Sequence, residues 1–146
     1  MKIYNLLFIP LVLCIFTSCN SVSEEEKEFD KTMQEIVFAH DDVMPKMGEL
    51  SSLIKDLEAK KDTTAIGQQY SQAQEELKNA YDFMMDWMQD FSEKFPHQGT
   101  KLNDYTPDQL KKQLQELKKE QQEVEQMRDA VNSSIKNAKE LLNKTD

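Results

Sequence analysis

A chain of 146 residues with 18 Lys and Arg against 27 Asp and Glu has room for one domain and carries a formal charge of −9. Nucleic-acid binding needs a basic footprint, which this composition does not supply. An acidic chain is also repelled by anionic surfaces, so attachment to a membrane has to come from something other than charge.

Residues 1–19 read MKIYNLLFIPLVLCIFTSC: Lys2, an apolar run from Leu6 to Phe16, then Thr17, Ser18 and Cys19. A basic start, a short apolar core and small residues before a cut predict a signal peptide over residues 1–18, too short and asymmetric for a spanning helix. Phe16-Thr17-Ser18-Cys19 resembles the cleavage motif of bacterial lipoproteins, in which the cysteine becomes the acylated first residue. Cys14 would leave with the signal, so Cys19 would be the only cysteine kept, with no disulfide or free thiol nucleophile. Acyl chains gain free energy with each buried methylene, and two or more anchor firmly. Residues 19–22 form a polar tether, and the NSVSEEE stretch resembles the acidic export signal of Bacteroidetes lipoproteins. Glu24, Glu25 and Glu26 also suit a first helical turn.

Three periodic segments follow. Ser23 with Glu26 three places on predicts a capping box opening a helix over 23–58. Its apolar seam reads Phe29, Met33, Ile36, His40, Val43, Met47, Leu50, Ile54 and Leu57, alternating steps of four and three. Pro45 removes an amide donor and crowds the carbonyl of Asp41, which predicts a kink. EAKKDTT at 58–64 is a turn. A second helix over 64–95 has the seam Ile66, Tyr70, Ala73, Leu77, Ala80, Met84, Trp87 and Phe91. Tyr81, Met85, Met88 and Phe95 widen it enough to touch two neighbours. Pro96 and Gly99 end that helix. Thr106-Pro107-Asp108-Gln109 then supplies an N-cap, a first-turn proline and a glutamine at the third helical position. The third helix, 106–142, has the seam Leu110, Leu114, Leu117, Gln121, Val124, Met127, Val131, Ile135, Ala138 and Leu142, with residues 143–146 as a disordered tail. At 1.5 Å per residue each helix is about 50 Å long. Short connections predict an all-α fold, an elongated antiparallel three-helix bundle or coiled coil running up-down-up. In the alternative, the third helix packs on another protomer of a homo-oligomer.

His40 is one of two histidines, and Met33, Met44 and Met47 share its helical face. Antiparallel pairing about residue 61 sets position 40 level with residue 82, beside YDFMMDWM at 81–88, with Leu117 and Gln121 alongside. One region would then gather an interior His40 with Met33, Met44, Met47, Met84, Met85 and Met88. Thioether and imidazole donors together suit Cu(I) or Ag(I). Methionine is equally a filler of irregular cores, and His40 would then be a hydrogen-bonded packing residue. Other chemistries lack their parts. Val37 stands three before His40, so the Glu-x-x-His element is absent, and Gly48, Gly67 and Gly99 stand alone without a phosphate loop. His97 sits in the second connection. No serine is placed for a triad, and a narrow bundle gives Asp41 and Asp42 no pocket that would keep one protonated.

HDDVMPKM with MMDWM, on a helical chain of this length, is similar to a family of short Bacteroidetes lipoproteins often labelled "viral A-type inclusion protein". The resemblance runs from the signal through Met44-Pro45-Lys46-Met47-Gly48 and Asp86-Trp87-Met88 to the last helix. Asp42 stands where the family commonly has Glu. The resemblance implies location and shape, with no established activity, and carries Trp87 over as a family-pattern residue. The expected function is a non-enzymatic, lipid-anchored scaffold or protein-interaction module of the cell envelope, an outer-membrane lipoprotein facing the periplasm or the surface. It would act on an envelope protein and not on nucleic acid. The alternative is an extracytoplasmic Cu(I)- or Ag(I)-binding protein.

Overall fold

A computed structural model describes residues 22–96 and 102–144. The signal peptide, Cys19, most of the tether, Gly99, His97 and residues 145–146 lie outside the described residues. Among those described, all regular structure is helical, and three helical rods pack together. The first rod is α1, Glu24–Val43, continued after a 3-10 turn by α2, Met47–Glu58. The second is α3, Ala65–Lys94, and the third is α4, Pro107–Asn143. No described helix is long and apolar enough to cross a membrane.

The sequence accounts for each boundary. The Ser23 hydroxyl accepts from the Glu26 amide at 3.1 Å while Glu26 Oε2 accepts from the Ser23 amide at 2.6 Å, so two otherwise orphaned donors are satisfied together. Thr106 and Gln109 repeat this at the start of α4, with Pro107 in the first turn, where its missing N–H costs nothing. Pro45 ends α1. Having no amide, it cannot donate to the Asp41 carbonyl, and the backbone tightens into the 3-10 turn Met44–Lys46 before Met47 restarts the helix.

The corner between α2 and α3 is compact and polar. Buried Gln74 donates to the Ile54 carbonyl at 2.8 Å and to Glu58 at 2.6 Å, and it accepts from Lys61 and Lys78 at 3.1 Å each. The bonds from Gln74 and then Lys61 hold the Glu58 carboxyl below its ordinary value. Asp62 accepts from the Thr64 hydroxyl and amide, which lowers its own pKa, and the Thr64 hydroxyl caps α3 at Gly67. Gly67 is buried because the turn lies directly on it.

The core is a column of Leu, Ile, Val, Met and aromatic side chains. Ile36, Val43, Leu50, Leu57, Leu77, Met84, Leu117, Val124, Met127 and Val131 are fully enclosed, each worth about 1.5–3 kcal/mol on burial. The rods are not equally spaced. α1 lies close along α4, and α3 lies close along α4. Beyond the Pro45 turn, α2 moves against α3, whereas α1 hardly approaches α3 at the backbone.

A Cβ placed on Gly67 would come within 2.6 Å of the Asp62 backbone nitrogen and oxygen, closer than packed atoms sit. Gly67→Ala therefore forces the corner outward. Thermal or urea unfolding is expected to show a loss of about 1–3 kcal/mol, and an unchanged midpoint would contradict this account of the corner.

Candidate functional site

The seam of the first rod differs from the expected one at four of its nine positions. Phe29, Ile36, Val43, Leu50 and Leu57 are buried. Their partners in the core are Thr32, Ala39 and Leu53, in place of Met33, His40 and Ile54, which are half-buried one position further round the helix. Large apolar side chains pointed to one set, but close approach decides the other. Thr32 and Ala39 are small enough to let α1 lie against α4, and Met33, His40 and Met47 are left at the edge that faces α3. The same one-residue change occurs on α4, where Glu120 is buried in place of Gln121. Gln121 is half-buried and donates to Glu35 at 2.7 Å.

His40 is thus a rim residue, its side chain 24% exposed. Its Nδ1 lies 3.0 Å from Asp41 Oδ1, which orients the ring. The ring centroid is 5.9 Å from that of Trp87, well beyond the expected level of residue 82. Side chains lean towards the N-terminus of their own helix, so on rods of opposed sense each ring meets a partner beyond its backbone level. Trp87 stacks on Phe91 at 5.0 Å, Phe91 meets Phe95 at 5.3 Å, and Phe95 meets Phe29 at 6.3 Å. This ladder of rings bridges the wider spacing between α1 and α3.

Above the ladder runs a groove of about 360 Å³, walled by Val37, His40 and Asp41 on α1 and by Met88, Phe91 and Ser92 on α3, with Trp87 and Phe95 in its floor. Trp87 is 4% exposed, and its buried Nε1–H finds no hydrogen-bond partner among the described residues. Of the methionines expected around His40, Met88 shares this groove with it. Met84 is fully enclosed in the core, and Met33, Met47 and Met85 pack half-buried against its margin. Met44, in the 3-10 turn, is exposed. Among the described residues no three His, Cys, Asp or Glu side chains converge as metal ligands.

Sequence reading passed over Glu120. It is 2% exposed, with one oxygen 2.8 Å from Lys94 Nζ and the other unpartnered among the described residues. That bond raises the Lys94 pKa. The steps 117, 120, 124 would have placed it in the seam, but a carboxylate is discounted there by type. Phe38, 73% exposed, was missed as well. It flanks a shallow hollow between α1 and α4, beside Lys31, Gln34 and Arg128.

Comparison of the chain with protein-family models, curated proteins and solved structures finds no match.

Ala39→Leu is expected to overpack the α1–α4 contact and cost about 1–3 kcal/mol, while His40→Leu should change stability by no more than about 0.5 kcal/mol, as at other partly exposed sites. Denaturant melts of both variants check the assignment. A large loss in His40→Leu with none in Ala39→Leu would restore the expected seam.

Proposed function

We propose that this chain is a non-enzymatic, lipid-anchored module of the cell envelope that binds another protein along the edge between α1 and α3. The single observation that carries this reading is the apolar groove, a recess lined by aromatic rings, exposed Val37 and the Met88 thioether, with exposed Met44 and Tyr81 on the same two rods. Apart from Phe38 on the α4 side, the rods present mostly charge to solvent elsewhere, as in the ion pairs Lys27–Glu24, Lys119–Glu116 and Arg128–Glu125. Contiguous apolar surface of this kind is characteristic of interaction sites.

The rods form an elongated up-down-up bundle in this reading, with support from the order of cross-rod contacts. Along the first rod and α4 the partners rise together, Glu28 with Lys118, Lys46 with Asn132 and Glu49 with Lys139. Along α3 and α4 they run oppositely, Lys94 with Glu120 and Glu76 with Asn137. The anchor is Cys19, acylated after removal of residues 1–18, as the resemblance to Bacteroidetes lipoproteins implies. The location is the outer membrane.

Two measurements test the reading in cells. A fatty-acid probe should label the protein and fail to label Cys19→Ser. A photo-crosslinking residue at Val37 should give a discrete adduct with an envelope protein, while the same residue at exposed Gln122 should not. Labelling that survives in Cys19→Ser would remove the anchor, and equal adducts from both positions would remove the groove as the interface.

A second reading, a Cu(I) or Ag(I) site, is favoured by one observation. Asp41 engages His40 Nδ1, which leaves Nε2 as the ring's ligating nitrogen, and Met88 lines the same groove as the ring. A carboxylate behind a ligating imidazole is a common way to orient it. Met44, one turn after His40, would complete a thioether and imidazole set. Cu(I) titration of the purified protein should then show stoichiometric binding that is lost in His40→Ala. Affinity that persists in a variant lacking His40, Met44 and Met88 would dismiss the site.

A further inference from the structure

We propose that the α1–α3 edge is the seat for an amphipathic helix with basic flanks, belonging to the partner protein. The inference rests on the interaction-module reading and names the chemistry of its partner.

The edge carries two second seams outside the core. On the first rod they are Met33, Val37, His40, Met44 and Met47, and on α3 Tyr81, Met85, Met88, Ser92 and Phe95. Both step four, three, four, three, and only Ser92 interrupts them with an exposed polar group. In structure each is half-buried or exposed apart from Phe95, which is buried, and Val37, His40, Met88, Ser92 and Phe95 among them line one groove. Met33, Met47, Met85 and Met88 pack partly against the core, yet the three rods leave the outer side of both stripes uncovered. A helix laid between α1 and α3 would cover both stripes at once, knobs into holes, over about 20 Å or two heptads. Four thioethers on partly covered positions give such a seat the adaptable surface used at helix-binding grooves.

Charge selects the occupant. No Lys or Arg occurs from Met33 to Pro45 or from Asn79 to Glu93, whereas Asp41, Asp82, Asp86 and Glu93 do. The nearest cations on these rods are engaged elsewhere, Lys31 with Glu35, Lys46 with Asp42 and Asn132, Lys78 with Gln74, and Lys94 with Glu120. An apolar seam with acidic margins pairs with a helix carrying Lys or Arg beside its own seam. A second copy of this chain, at −9, meets like charge there.

The test uses the full chain in a zwitterionic detergent and three synthetic peptides of about three heptads, none containing tryptophan. One has a leucine seam flanked by Lys, one is its scramble, and one has Glu in place of Lys. Trp87 is the only tryptophan in the chain, so its emission reports on the groove itself. The basic seam peptide should shift that emission and bind at least about tenfold tighter than either control. Val37→Glu combined with Met88→Glu should weaken it by about tenfold or more with helix content unchanged by circular dichroism, while Gln122→Glu should leave it unaltered. If the double variant unfolds, Tyr81→Glu replaces it in the comparison.

Equal binding of the scramble overturns the inference, since charge alone would explain it. Equal binding of the acidic peptide, or full affinity in the groove variants, overturns it too. So does a dimer in sedimentation that the groove variants dissociate, because the occupant would then be a second copy. Failure of the peptides alongside Val37 adducts in cells removes the basic helix and leaves the interaction module standing. Selective peptide binding without those adducts supports the groove chemistry and removes the envelope reading.

Discussion

Two small side chains govern the shape of this molecule. Thr32 and Ala39 let α1 lie against α4, and helix axes can close to the short end of their usual spacing only where side chains at the contact are small. Three rods that all touched this closely would leave no edge open. α3 also lies along α4 but carries Trp87, Phe91 and Phe95 towards α1, so those two stay apart and the rings fill the space between them. Groove, ring ladder and half-buried His40 all follow from that unequal spacing.

Pro45 adds a second asymmetry. The chain could have continued as one straight helix, since its apolar periodicity does not lapse across residues 43–50. Loss of one amide donor instead converts Met44–Lys46 into a tighter turn. After it, α2 packs on α3, and the corner closed by Gln74, Asp62 and Gly67 ties those two together. The first rod therefore leans on different neighbours along its length, near α4 before the turn and near α3 after it. The groove lies along the stretch before the turn, at Val37, His40 and Asp41, and the apolar stripe beside it runs on through the turn to Met47.

The helical character of the chain was legible in its sequence because periodicity, caps and breakers agree at every boundary. Ser23 with Glu26 and Thr106 with Gln109 cap as their types suggest, and Pro45 perturbs the helix where it stands. Which face points inward was only half legible. Positions 29, 36, 43, 50 and 57 are apolar and buried, but on the alternate positions the four-three spacing pointed to Met33 and His40 while the fold buries Thr32 and Ala39. Size complementarity between rods is a property of the pair, and a single helix does not display it. Glu120 shows the same limit from the other side, a carboxylate kept in the core by Lys94 on another rod. The level of His40 against Trp87 likewise depends on how side chains lean, which counting residues from the turn omits.

The methionines differ in one further respect. Met84 and Met127 are sealed inside, whereas Met44 is open and Met85 and Met88 are partly so. Sulfoxide formation turns a soft apolar side chain into a polar one and follows accessibility. Oxidants would accordingly reach the thioethers of the open edge first and make that edge hydrophilic while leaving the packed interior untouched. Reductive repair of those sulfoxides would restore it, so the stickiness of this face is reversible without any change of fold.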